Sequence, residues 1–244
     1  MRLTCQTSAA SYIRRQAKQL GKQLVGVCHA EDIECVHRAR VASRRLRAAF
    51  RVFDGCFGGG TLRRWRKHIR RLAQELGQAR DLDVQIEFLC GFVSQALEPV
   101  VCRGLSRLLA KLERRRERMQ PRVVRAVKSL QRSGVLEEML SRTKKVLDRS
   151  NGAGADGVTP AAAAELAPPL RARLEEFLAL RESLQEADDA ERLHSFRIAA
   201  KRLRYTLEIA RSAYPADLQP FIEAAKTLQT LLVEIHDCDV WQME

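Results

Sequence analysis

Residues 36–53 read VHRARVASRRLRAAFRVF, from Val36 to Phe53. Wound at about 100° per residue, this stretch puts Arg40, Arg44, Arg47 and Arg51 on the side of His37. Ala39, Ala42, Leu46, Ala49, Phe50 and Phe53 fall on the opposite side, as a core-facing stripe. The polar side carries almost only positive charge. The pattern returns 157 positions later in residues 193–210, LHSFRIAAKRLRYTLEIA. There His194 matches His37, Arg197 matches Arg40, Lys201 matches Arg44, Arg202 matches Arg45, Leu203 matches Leu46 and Arg204 matches Arg47. One cationic amphipathic helix is ordinary; two in matching register mark an internal repeat.

The repeat extends outward from these helices. Arg14 matches Arg171, Arg70 matches Lys226, Leu72 matches Leu228 and Leu76 matches Leu232. ARDLDV at 79–84 matches IHDCDV at 235–240. Periodicity and breakers predict helices over 8–27, 31–54, 61–78 and 82–97, with Asp81 capping the last. Helices over 102–118 and 122–148 follow, interrupted near Pro121 and Gly134. RSNGAGADGVTP, residues 149–160, reads as a linker. Beyond it the pattern predicts helices over 161–186, 189–213 and 217–235, with a short terminal segment from His236. The fold class is all-α: two antiparallel four-helix bundles from an internal repeat. The first repeat with its helical extension spans 8–150, and the second spans 161–244, within one domain over 1–244.

Composition agrees with helices. Aromatics are 5% of 244 residues, hydrophobic residues 45%, and Gly and Pro are sparse. The net charge of +13 is unevenly placed. Residues 1–150 hold 33 Lys and Arg against 14 Asp and Glu, whereas 151–244 hold 10 against 16. Such a basic excess points to a polyanionic partner. Arg outnumbers Lys 34 to 9, and its planar fork matches phosphate oxygens. The seven cysteines form no CxxC pair and read as reduced thiols. Neither a signal core nor a membrane-spanning run is present in the sequence, so a soluble cytoplasmic protein is expected.

A helix brings a cation round every turn, about 5.4 Å along its axis. Arg63, Arg66, Lys67 and Arg70 share the polar side of the 61–78 helix, flanked by Arg64, His68 and Arg71. Stripes of this kind side by side make a positive trough suited to a linear polyanion. Two roles stay open for His37 and His194: orienting the helix entry, or donating to phosphate. Asp81 with Asp83, and Asp237 with Asp239 beside His236, invite a metal reading. Residues two apart on a helix do not share a face, so we read them as caps that also pair with arginines. No His/Asp/Glu cluster has ligand spacing, and no metal or cofactor is expected. Ser43, Ser195 and Cys28 beside His29 lack a base and orienter, so no catalytic residue is nominated. A nucleic-acid binder is the main alternative, weakened by the scarcity of aromatics for base stacking. A metal-dependent phosphohydrolase accessory is the weaker one.

VHRARVASRRLR followed by LGQARDLDV, then LHSFRIAAKRLRY followed by LLVEIHDCDV, resembles the CHAD family, named for a conserved histidine alpha-helical domain. The resemblance covers most of 8–95 and 161–244. It implies paired four-helix bundles related by a pseudo-two-fold, with basic helices lining a groove or pore. It also implies non-catalytic binding of inorganic polyphosphate; polyphosphate granules are an expected partner, and no membrane partner is expected. The implied binding positions are His37, Arg40, Arg44, Arg45, Arg47, Lys67, Arg70 and Arg71, then His194, Arg197, Lys201, Arg202, Arg204 and Lys226. The stripes themselves add Arg51, Arg63 and Arg66. Three departures predict an uneven second half: Glu208 stands at the position of Arg51, residues 216–225 hold no Lys or Arg, and Val233 replaces Gly77.

Overall fold

The computed structural model describes residues 2–30, 32–94, 99–151, 160–182, 190–211, 213–214 and 217–243. Among them all regular structure is α-helical: α1 (Arg2–His29), α2 (Ile33–Val52), α3 (Gly59–Val93), α4 (Pro99–Arg132), α5 (Val135–Asn151), α6 (Pro160–Glu182), α7 (Ala190–Ala210) and α8 (Gln219–Met243). The expected all-α class holds. Most of the predicted linker at 149–160 lies outside the described residues.

The chain gathers into two compact units. One comprises residues 13–47 and 58–144; the other comprises 1–12, 48–57 and 145–244. In the first, α1 buries Ile13, Ala17, Leu20, Leu24 and Val27 at three- and four-residue steps. The Asp32 carboxylate accepts the Glu34 backbone N–H at 2.8 Å and so caps α2. Then α2 buries Ala39, Ala42 and Leu46 of the apolar stripe read from the sequence, and Val36 with them.

Helix α3 departs from the predicted pair of helices. It continues through residues 78–81 as one helix of 35 residues. The apolar stripe of Leu62, Trp65, Ile69, Leu72 and Leu76 goes on through Ala79, Leu82 and Leu89, all buried. That continuous face, packed on α4, outweighs the local signal for a new start at Asp81. Asp81 is therefore a mid-helix residue and caps nothing.

Pro121 likewise fails to end a helix, since α4 continues through it. Pro121 is exposed, while Leu112, Met119, Val123, Val127 and Leu130 keep one face buried. Beside it, Gln120 Nε2 donates to the Val27 and Cys28 carbonyls at the end of α1, at 2.8 and 3.2 Å. Gly134 does break the chain, with φ of 63°. This left-handed turn costs glycine little and separates α4 from α5.

In the other unit, α7 packs against both α6 and α8. Phe196, Ala200 and Leu232 are buried together, with Phe177, Leu180, Leu193 and Leu228 against them. The Phe177 and Phe196 rings stack at 4.8 Å between centroids. Helix α8 runs without interruption to Met243, through the segment predicted to separate at His236. Pro168 and Pro169 lie inside α6.

Candidate polyanion-binding stripes

The first stripe rests on the pairing of α2 with α3. Three neighbour relations fix their register: His37 feels Arg80, Arg40 meets Asp81, and Arg47 feels Arg70. From Arg40 to Arg47 α2 advances seven residues while its partners on α3 fall back from Asp81 to Arg70, so the two helices run antiparallel. Arg40 also crosses Gly77, where an added Cβ would lie 3.9 Å from the Arg40 Nε. Burial of the apolar stripes forces the cationic sides of both helices outward along this line.

The charges crowd each other. Burial pushes the His37 imidazole below its ordinary value, helped by Arg80, Arg44 and Arg40 and opposed by Glu34. Burial also lowers His68, with Arg64, Lys67 and Arg71 adding to it. Arg47 is lowered by burial and by the Arg70 guanidinium. Arg40, Arg44, Arg45 and Arg47 are half-buried, whereas Arg51, Arg63, Lys67, Arg70 and Arg71 are exposed and Arg66 is half-buried. Among the described residues, Arg63, Lys67, Arg70 and Arg71 have no carboxylate partner.

Two aspartates two residues apart have separate employments. Asp81 is exposed and receives Arg40 Nη2 at 3.4 Å. Asp83 is buried and receives Arg116 Nε of α4 at 2.6 Å, while Arg116 Nη1 also donates to Gln120 Oε1 at 3.0 Å. Both pair with arginines as the sequence reading held, but neither is a cap. Among the described residues no group of three or more His, Cys, Asp and Glu could hold a metal ion. The side chains of His236, Asp237 and Asp239 lie outside the described set.

The second stripe, on α7, is more neutralised. Arg202 pairs with Glu176 of α6, which also holds Arg173. Those arginines keep the Glu176 carboxylate below its usual range against the opposing effect of burial. Arg204 lies over the Tyr205 ring at 4.6 Å and pairs with Glu208 at 2.9 Å, one turn on. Glu208 thus absorbs the cation before it, beyond merely lacking the charge of Arg51. Arg197 Nη2 lies 3.5 Å from His194 Nδ1, and both, with Lys201, keep their place on the polar side. Lys226 is exposed on α8.

Two features escaped the sequence reading. Arg80, near His37, was not nominated; the ARDLDV motif contains it, yet only the α2–α3 register brings it to the histidine. Arg64 is a structural residue: it donates to Glu138 at 3.0 Å and to the Ser133 carbonyl at 2.6 Å, across to the α4–α5 turn.

Comparison with known proteins gives one family and a consistent fold. The family profile for the CHAD domain matches residues 11–244. The crystal structure of the CHAD domain from the plant Ricinus communis superposes with a TM-score of 0.71 at 24% identity, covering 94% of this chain and 73% of that one. PptA from Streptomyces chartreusis superposes with a TM-score of 0.54 at 18% identity, covering 91% of this chain and 80% of that one. No curated protein matches the sequence.

Proposed function

The chain belongs to the CHAD family, and from that premise we propose that it binds inorganic polyphosphate without cleaving it. The observation that carries the reading is the like charge held together along α2 and α3. Arg47 and Arg70 repel each other, and cations help to depress His37 and His68. Gathering such groups costs free energy that a polyanion laid along the helices returns. A ridge with one cation per turn suits a flexible chain carrying about one negative charge per phosphate.

The second stripe is the weaker contributor. His194, Arg197, Lys201 and Lys226 are its positions for ligand, and Glu176 and Glu208 already serve Arg202 and Arg204. Binding without cleavage rests on the fates of Asp81 and Asp83, which turn to different arginines on different helices and do not converge. No described helix is long and apolar enough to cross a membrane. The reading takes the protein to act in the cytoplasm, including at polyphosphate granules.

The test is binding of long-chain polyphosphate in competition with duplex DNA at equal phosphate concentration and near-physiological salt. Tighter binding of polyphosphate is expected, weakening steeply with salt as neutralised phosphates release counterions. Tighter binding of DNA would replace this reading with the nucleic-acid one. Orthophosphate release with Mg²⁺ or Mn²⁺ is expected to be nil. Release that vanishes in an Asp81→Ala, Asp83→Ala double variant would establish an enzyme instead.

A further inference from the structure

Helix α1 meets the turn between α2 and α3 through two sulfurs. Cys5 Sγ lies 2.8 Å from Cys56 Sγ, although the two are 51 positions apart in the chain. Gln6, the next residue on α1, donates from Nε2 to the Cys56 carbonyl at 3.0 Å. The Cys56 N–H is in turn bonded to the Phe53 carbonyl at 3.1 Å, which sets the turn. Consecutive residues of one helix thus hold a single turn residue by its backbone and by its sulfur. Both thiols are half-buried, neither sealed in the core nor loose at the surface. Bonding them needs a closure of less than about 1 Å to the disulfide length of ~2.05 Å.

The pair is also chemically unequal. The hydrogen bond shared with Cys5 pulls the Cys56 thiol below its ordinary value, with burial and Glu165 opposing. The same bond, with burial and Glu165 of α6, drives Cys5 upward. One partner is therefore the readier thiolate, and the other keeps its proton until the second step.

We propose that Cys5 and Cys56 form a dithiol redox site whose substrate is a low-molecular-weight disulfide, and whose product is an internal disulfide stapling α1 to the α2–α3 turn. The Cys56 thiolate attacks one sulfur of the small disulfide. A mixed disulfide forms at Cys56 and one small thiolate leaves. Cys5 then gives up its proton and attacks the Cys56 sulfur, expelling the second small thiolate. Two protein thiols are oxidised, one small disulfide is reduced to two small thiols, and the two protons released end on those thiols. The inference is independent of polyphosphate binding.

The test treats the full chain, natively folded, with excess oxidised glutathione, then traps free thiols and maps the linked peptides by mass spectrometry. The expected product is a Cys5–Cys56 linked peptide lighter by two hydrogens, with Cys28, Cys35, Cys90 and Cys102 unlinked. Closing a loop of this length is expected to raise Tm by roughly 10 °C, reversed by a reducing agent. In Cys5→Ser the reaction stops at a glutathione adduct on Cys56, and in Cys56→Ser at an adduct on Cys5. Stable glutathione adducts on both residues of the unsubstituted chain, a cross-link between other cysteines, or no reaction at either sulfur would each overturn the proposal. Because the mapping is made on the unsubstituted chain, it stands whether or not the serine variants fold.

Discussion

Asp81→Asn separates the competing readings of the first stripe by the direction of its effect. The Asp81 carboxylate lies 3.4 Å from Arg40 Nη2, and the two side chains are 68% and 36% exposed. At that distance the attraction is about 1.2 kcal/mol in the dielectric of water. Exposed pairs return less, because salt screens them and ordering two side chains costs entropy; roughly 0.5 kcal/mol remains. The substitution should therefore lower stability by less than about 1 kcal/mol and shift Tm by no more than about 4 °C. Its effect on binding has the opposite sign. A phosphate seated on Arg40 would stand about 4–5 Å from the Asp81 carboxylate and meet about 1 kcal/mol of repulsion before screening. Removing the charge is expected to tighten polyphosphate binding roughly two- to fivefold. The salt dependence should steepen by up to about one unit of slope, since Arg40 becomes available to neutralise one more phosphate. The assay is a titration of fluorescent long-chain polyphosphate at three salt concentrations, with orthophosphate release followed alongside. Weaker binding by Asp81→Asn would refute the reasoning, because the carboxylate would then be organising the ligand instead of competing with it.

Asp83→Asn, only two residues away, should behave oppositely: it strands Arg116 in a site where the two side chains are 3% and 13% exposed, costing about 3 kcal/mol. Thermal unfolding should drop by roughly 6–12 °C while affinity at a temperature where the variant is folded stays the same; an unchanged Tm would sink the buried-pair account. Arg40→Glu with Arg44→Glu is expected to weaken polyphosphate binding more than Arg197→Glu with Lys201→Glu, because α7 already spends two arginines on Glu176 and Glu208. Equal losses at one salt concentration would contradict that. His37 and His68 titrate below their usual 6.5 in the fold, so their protonation favours the unfolded chain. Stability of the free protein should fall as pH drops from about 6.5 through the folded values and level off beneath them. Affinity should move the other way across that window, since a bound polyanion raises both histidines; a dissociation constant that is flat between about pH 7.5 and about pH 5.5 would refute it.

Residues 36–53 and 193–210 were enough to establish helices, a repeat and a cationic face, because helical periodicity is local and their two sides differ so sharply in polarity. Leu62, Trp65, Ile69, Leu72 and Leu76 announced a buried face for the same reason. The sequence misplaced the ends of elements where tertiary packing overrode a local signal. Asp81 read as a cap and Pro121 as a break, yet α3 and α4 run through both, since each keeps one continuous face buried against its neighbours. Gly134 kept its predicted break because its left-handed backbone is itself a local property. Which arginine each carboxylate takes was beyond the sequence. Glu176 is 26 residues from Arg202, Asp83 is 33 from Arg116, and Cys5 is 51 from Cys56. Coulomb attraction and hydrogen bonding act over a few ångströms of space, and only the antiparallel return of one helix along another turns such separations in the chain into contacts.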